Sequence, residues 1–557
     1  MLEQLLPQAL VRGLRVGQTV LGSGYLQAVR PDRTPALAAD LLRWGLSPTA
    51  GWALAAHTEP GRVALIDDRG ALTYGEIHRR TNALARTWAE RGVSPDAGVA
   101  VLCHNHRGFV EATIAAAKLG ARVLFLNTGF APPQLADVVS REQPGVLVYD
   151  HGLSDVVLPA VSSCQRYVAW VDDGQPTTDP SLEEVIEAGD PAEVPAPRGT
   201  VRFVILTSGT TGAPRGAQRG GTNGIDAADS VLSKVPIKAG GTTVICPPLF
   251  HAWGLFHLAT GLALRSTLVV RSRFDPDVAL ADVARHRAST LVVVPVMLQR
   301  LLDLGTERLS RYQPFHLRAI VSSGSALPAP LATRTMATFG DVLYNVYGST
   351  EVAWASIATP QDLRTAPGTA GRPPRGTIVR LYDDTGEVVA EPNRTGRVFV
   401  GSRLQFEGYT GGDTKQVVDG LMATGDVGHF DDAGLLWIDG RDDEMIVSGG
   451  ENVFPAEVET LLAGHPDVAE AAAVGVSDEQ YGQRLAAFVV VRPGSRLSED
   501  QLKEYVRANL ARYKVPRQVT FLDALPRNQT GKVLKRELAS GEEGARQRGG
   551  AGDGAPV

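Results

Sequence analysis

The sequence is poor in cysteine. Its 557 residues hold three, Cys103, Cys164 and Cys246, far apart and in no C-x-x-C pair. That pattern excludes a disulfide scaffold, argues against a structural zinc, and fits a reducing compartment, the cytoplasm. Long apolar runs are missing as well. The Ala-rich stretch 112–126 is broken by Lys118 and Arg122, so no segment is expected to span a bilayer. Positive charge is not in excess: 55 Lys and Arg stand against 61 Asp and Glu, for a net charge of −6. No nucleic-acid partner is expected from that balance. Met1-Leu2-Glu3-Gln4 carries no basic stretch, so no secretory leader is expected.

What is present suits a globular chain with more than one core: 43% hydrophobic and 21% charged residues over this length. One loop stands out. The apolar run Val201–Leu206 reads as a buried strand. It leads into Thr207-Ser208-Gly209-Thr210-Thr211-Gly212-Ala213-Pro214-Arg215-Gly216. Glycines let a backbone approach an anion and aim N–H groups at it, hydroxyls add donors, and Arg215 adds charge. A random Gly/Thr string would be a surface loop; ten residues in this order are a phosphate cradle in outline. No Gly-Lys-Ser/Thr follows, so it is not a P-loop.

The loop resembles the signature of the adenylate-forming superfamily, which holds acyl-CoA synthetases, peptide-synthetase adenylation domains and luciferases. The match continues at Tyr347-Gly348-Ser349-Thr350-Glu351, Thr424-Gly425-Asp426, Gly440-Arg441-Asp442-Asp443 and Pro526-Arg527-Asn528-Gln529-Thr530-Gly531-Lys532. These run in family order from about residue 50 to 540.

The chain divides accordingly. Residues 1–50 are an extension, read as helical. Leu5, Leu6, Ala9, Leu10, Leu14 and Val16 line one face, favouring a helix packed on the domain over one lying on a membrane surface. Residues 51–440 form a large α/β domain. Helices over Gly75–Arg91, Arg107–Leu119 and Pro132–Arg141 alternate with strands over Gly98–Leu102, Ala121–Leu126 and Gly145–Tyr149, as parallel βαβ units do. Residues 172–199 read as a surface connection. The alternation resumes with strands at Thr242–Cys246, Ser266–Val270, Leu291–Val294 and Ala319–Ser322, giving two βαβ-type subdomains. Short β-like runs over 371–440 suggest a small barrel-like subdomain. Residues 441–443 read as a hinge, 444–540 as a mobile α+β C-terminal domain, and 541–557 as a disordered tail.

Adenylation must hold a triphosphate, place a carboxylate in line with its α-phosphorus, and stabilise the developing charge. The loop supplies the first. The resemblance implies that Thr207 also helps hold Mg²⁺, and that Arg215 stands where the family usually has lysine. Tyr347 offers a flat face to adenine, Thr350 a donor to the α-phosphate, and Glu351 a hard ligand to Mg²⁺. Gly348 and Ser349 lie in the same nucleotide run. Ser323-Gly324-Ser325-Ala326 resembles the adenine-side turn. Asp426 and Arg441 would contact the ribose. His251, beginning His251-Ala252-Trp253-Gly254-Leu255-Phe256-His257, is read as a wall and gate of the acyl pocket with Trp253 and Gly254. A metal reading of His251 and His257 is poor, since residues six apart share no helix face. Lys532 is implied to bridge the carboxylate and α-phosphate. Ser448-Gly449-Gly450 resembles the segment beside the CoA tunnel, with Asp443 as the hinge.

The expected function is an acid–thiol ligase using ATP, Mg²⁺ and coenzyme A. A carboxylic acid, expected to be a fatty acid from the apolar stretch around Trp253, Leu255 and Phe256, becomes acyl-AMP and then acyl-CoA. Alternatives are a ligase loading a carrier protein, or a non-catalytic binding protein of the same fold. The state is left open between monomer and homodimer.

Overall fold

The computed structural model describes residues 22–23, 48–95, 97–172, 175–197, 201–208, 214–220, 224–313, 315–412, 414–448, 451–478, 482–510, 514–529 and 531–540. The expectations for most of residues 1–50, for Gly209–Gly212, for Gly449 and Gly450, and for the tail lie outside these.

Two large sheets carry the N-terminal part. A seven-stranded sheet runs in the order Gly408–Tyr409, Pro214–Gly220, Arg202–Ser208, Arg122–Phe125, Gly98–Leu102, Pro144–Asp150, Gln165–Trp170. An eight-stranded sheet runs Ala353–Ala358, Leu343–Ser349, Ala319–Ser322, Thr290–Val293, Thr242–Ile245, Thr267–Val270, Val63–Asp67, Gly70–Thr73. Their central strands pair in parallel and are buried along their length, which is why Gly98–Leu102, Thr290–Val293 and Ala319–Ser322 read as uniformly apolar. Edges differ. Pro214–Gly220 turns back antiparallel on Arg202–Ser208, and Ala353–Ala358 does the same on Leu343–Ser349.

One continuous core lies between the sheets. It joins Val99, Val101 and Phe125 to Leu268, Val292 and Ile320 through the helices Tyr74–Glu90, Arg107–Lys118 and Ala252–Ala263. Local chemistry sets the helix starts. Thr73 and Glu76 form a reciprocal capping box on the first of these helices. His106 caps the second, its Nδ1 accepting from the Gly108 N–H at 3.1 Å. The segment 172–199 is more than a connection: it contains the helix Leu182–Ala188, started by a Ser181/Glu184 capping box whose Ser-x-x-Glu spacing stands in the sequence.

Between residues 377 and 441 the texture changes to an antiparallel sheet of Thr377–Tyr382, Gly396–Ser402, Leu421–Phe430 and Val417–Val418, with Leu436–Arg441 pairing on Leu421–Phe430. A short 3₁₀ turn, Asp442–Glu444, follows directly. Beyond it a second α+β sheet, built on Val468–Asp478 and Gly482–Val491, carries the helices Pro455–Ala463 and Glu499–Asn509. Its two faces hold separate apolar clusters, one around Val458 and Leu485, the other around Phe488 and Leu538. Among the described residues no helix is long and apolar enough to cross a membrane.

Candidate active site

The turn after Leu343–Ser349 sets the site's geometry. A Cβ on Gly348 would lie 1.7 Å from the Ala353 carbonyl oxygen, so only glycine lets the chain reverse there. The Ser349 Oγ accepts from the Glu351 and Val352 N–H groups at 3.3 and 3.4 Å. This tight reversal presents Glu351 with only 8% exposure.

Glu351 Oε1 accepts a hydrogen bond from the Tyr409 hydroxyl at 2.7 Å. Burial opposes ionisation of Glu351, but the Tyr409 hydroxyl, the Lys415 charge and Ser349 outweigh it and hold the carboxyl below its ordinary range. A buried carboxylate kept ionised fits a hard cation such as Mg²⁺. Tyr409 reaches it because its strand pairs with Pro214–Gly220, with Tyr409 opposite Ala217. On the same strand, the Arg215 guanidinium lies 5.7 Å over the Tyr409 ring. Thr207 and Ser208 end the neighbouring strand, with the Thr207 backbone opposite Arg215; their side chains are not among the described groups.

A second cluster abuts the first. Tyr347 donates its hydroxyl to Asp426 Oδ2 at 2.5 Å, and Arg441 Nη1 stands 3.4 Å from Oδ1. Burial raises the Asp426 pKa, and Tyr347, Arg441 and Lys415 offset that only in part. Burial, with Asp426 beside it, pushes the Tyr347 phenol well up. Lys415 Nζ donates to the Thr424 carbonyl at 3.1 Å and acts electrostatically on both Glu351 and Asp426. Tyr409 and Lys415 belong to this cluster and were not among the sequence candidates. Neither lies in a motif, and a strand pairing brings Tyr409 in. Gly324, Ser325 and Ala326 form an exposed turn at the end of Ala319–Ser322.

The residues expected to wall the acyl group start the helix Ala252–Ala263. His251 precedes it and stacks on Phe250 at 4.4 Å. Asn105 fixes the approach: its Nδ2 donates to the Pro247 carbonyl at 2.9 Å and its Oδ1 accepts from the Leu249 N–H at 2.8 Å. Trp253 anchors its indole N–H on the Val293 carbonyl at 3.1 Å. Around it, Trp354 lies 5.9 Å from Trp253 and 4.7 Å from Phe256, and His257 stands edge-on to Trp253 at 4.4 Å. Burial pushes His251 down to about 4 and His257 to about 3, so both are neutral near pH 7. His251 Nε2, His257 Nε2 and Trp354 Nε1 are buried with no hydrogen-bond partner among the described residues.

Lys532 is exposed on a turn, its N–H donating to Asn528 Oδ1 at 2.9 Å. The turn touches the large domain: Thr128 Oγ1 donates to Gln529 Oε1 at 2.6 Å, and Gly531 lies against Val296. Ser448 ends the strand Ile446–Ser448, at the start of the C-terminal sheet. Asp443 lies in the 3₁₀ turn.

The sequence matches the family model for AMP-binding enzymes over residues 52–410, and that for the AMP-binding enzyme C-terminal domain over residues 457–532. It is 32% identical over 505 residues to an indoleacetate–CoA ligase of Aromatoleum aromaticum, covering 87% of this chain and 96% of that one. A feruloyl-CoA synthase of Amycolatopsis is 32% identical over 488 residues, with 87% and 96% covered. The o-succinylbenzoate CoA synthetase of Bacillus subtilis, solved with its acyl-adenylate, matches with a TM-score of 0.76 at 27% identity, over 88% of this chain and 97% of that one. The acids in these names are aromatic, and the fatty-acid expectation finds no support in them. The chain belongs to the AMP-binding enzymes of the adenylate-forming superfamily, as an acid–thiol ligase that makes an acyl-adenylate from a carboxylic acid and Mg·ATP and transfers the acyl group to CoA.

Proposed function

We propose that the acid is compact and aromatic and carries a hydrogen-bond acceptor on or beside its ring. One observation carries this: Trp253, Phe256, His257 and Trp354 close on one another, and three buried nitrogens, His251 Nε2, His257 Nε2 and Trp354 Nε1, have no partner among the described residues. A methylene chain would leave those nitrogens unsatisfied, which costs about 1–3 kcal/mol each. A ring hydroxyl, ether or oxo group that reached the Trp354 N–H as the wall opened to admit the acid would accept from it while the ring face packs on indole. The two neutral imidazoles supply no positive charge there, so an uncharged substituent suits the wall better than a second carboxylate. The aromatic acids named for the relatives support the same class.

In this reading the carboxylate oxygen attacks the α-phosphorus of ATP, pyrophosphate leaves, and the CoA thiol then attacks the acyl carbonyl, releasing AMP. Glu351, with Thr207, would hold Mg²⁺, which neutralises triphosphate charge. Arg215 faces the phosphates from the strand beside Thr207. Asp426 accepts from the ribose hydroxyls, with Arg441 beside it. Lys532 stabilises the charge shared by carboxylate and α-phosphate. The module beyond residues 441–443 then turns and presents Ser448 and its neighbours to CoA. Cys103, Cys164 and Cys246 are all unpaired, in keeping with a cytoplasmic setting.

The test is pyrophosphate release with a panel running from acetate to palmitate and through aryl acids with and without ring oxygens, each with and without CoA. Oxygen-bearing aryl acids should give the highest kcat/KM. A preference for palmitate would overturn the substrate reading, and release unaffected by CoA with no thioester formed would overturn the acceptor.

A further inference from the structure

The turn that bears Lys532 is tied by hydrogen bonds and is gripped from both sides. Within it, the Asn528 N–H donates to the Lys532 carbonyl at 2.9 Å, and the Gly531 N–H to the Asn528 carbonyl at 2.9 Å. Arg527 ties it to its own module, donating to the Gly531 carbonyl at 2.6 Å and pairing with Glu470 at 2.8 Å. A displacement at Gln529 therefore moves Lys532.

The other grip is on the large domain. Thr128, 8% exposed, donates its hydroxyl to Gln529 Oε1 at 2.6 Å. Next to it, a Cβ on Gly129 would lie 2.7 Å from Gln529 Nε2. On the far side, a Cβ on Gly531, whose φ is +80°, would lie 2.4 Å from Val296 Cγ1. Gly129 thus makes room for Gln529, which lies 401 residues from its partner Thr128, and Gly531 makes room for Val296.

We infer that Thr128 and Gln529 are positioning residues: their hydrogen bond is a latch that holds the C-terminal module where Lys532 serves adenylation, and that must open before thioester formation. This rests on the two-step reading above. The bond is single and neutral, so it biases the module by about fivefold to tenfold rather than locking it. A charged pair would grip harder and slow the reopening each turnover requires.

The experiment uses the full chain with Thr128→Val, Gln529→Leu and the double variant. Adenylation is followed by ATP–pyrophosphate exchange, and the second step by thiolysis of supplied acyl-AMP. Either single change should slow exchange about fivefold, the double change no further, and thiolysis should stay the same or rise. Thr128→Ser, which keeps the hydroxyl, should restore exchange. Multiplicative losses, equal losses in both steps, or no loss in exchange would each overturn the latch. A second arm needs no acid: protease cleavage within residues 441–446, with AMP alone. AMP should protect the wild type more than Thr128→Val, and equal protection would overturn the latch whatever the acid. Failure of every acid in the panel would instead count against the ligase substrate reading.

Discussion

Tyr409 and Glu351 are 58 residues apart in sequence, and the tyrosine hydroxyl donates to the glutamate Oε1 at 2.7 Å. The bond keeps a buried carboxylate ionised and aimed. Tyr409→Phe should leave the protein folded while raising the Mg²⁺ concentration for half-maximal pyrophosphate release about tenfold or more, since a hydrogen bond to a charged group is worth about 1.5 kcal/mol or more. Glu351→Gln should act in the same direction and more strongly. A Mg²⁺ titration of Tyr409→Phe that overlays the wild type would remove Tyr409 from the metal site.

Lys532→Ala should separate the two half-reactions. Removing a preorganised donor commonly costs about two to three orders of magnitude in rate. Acyl-AMP formation should collapse, while acyl-CoA production from supplied acyl-AMP should stay near wild type. Impairment of both to the same degree would rule out a role confined to the first step.

The pocket wall makes a prediction about substrate range. Trp354→Leu removes an indole whose ring lies 4.7 Å from Phe256 and 5.9 Å from Trp253. The variant should lose about tenfold or more in kcat/KM toward oxygen-bearing aryl acids and gain toward aliphatic acids of six to ten carbons, roughly in line with what a few methylenes are worth. An unchanged ranking across the acid panel would place the substrate elsewhere.

His251 and His257 predict an acid-sensitive fold. Burial sets their pKa values near 4 and 3, below the unfolded value of about 6.5. The unfolded chain therefore binds protons that the native protein refuses. Their contribution is whole above the unfolded pKa and is lost as pH falls from about 6.5 toward 4 and 3, on the order of 3 kcal/mol each by pH 4. His257→Gln should flatten the fall in Tm between pH 7 and 4 relative to wild type. A parallel fall in both proteins would mean that His257 titrates normally.

Much of this was legible in the residues. Strands such as Gly98–Leu102 announced themselves because burial on both faces demands unbroken apolar side chains. Glu351, Asp426 and Lys532 stood in motifs whose order is distinctive. Tyr409, Lys415, Asn105 and Thr128 were not legible, for a common reason. Tyr409, Asn105 and Thr128 act through partners remote in sequence, Glu351, the Pro247–Leu249 backbone and Gln529, and Lys415 through a charge that reaches both Glu351 and Asp426. Nothing in the local pattern of a lone tyrosine or threonine marks such a pairing. The aliphatic reading of Trp253, Leu255 and Phe256 finds no support in the acids of the relatives, and its limits have a related cause. Composition shows that the stretch is apolar, but only the fold brings in the ring of Trp354, about a hundred residues away in sequence, against Trp253 and Phe256.

Asn105 holds the Pro247–Leu249 backbone that leads into the helix Ala252–Ala263, and Trp253 is anchored on the Val293 carbonyl. Trp354, by contrast, stands opposite Gly348 on the strand pair that closes into the Glu351 turn, so exchanging this ring would be felt at the nucleotide site. At this position the residue expected to wall the acid and the turn that presents Glu351 share one strand pair, so a change in either is transmitted to the other.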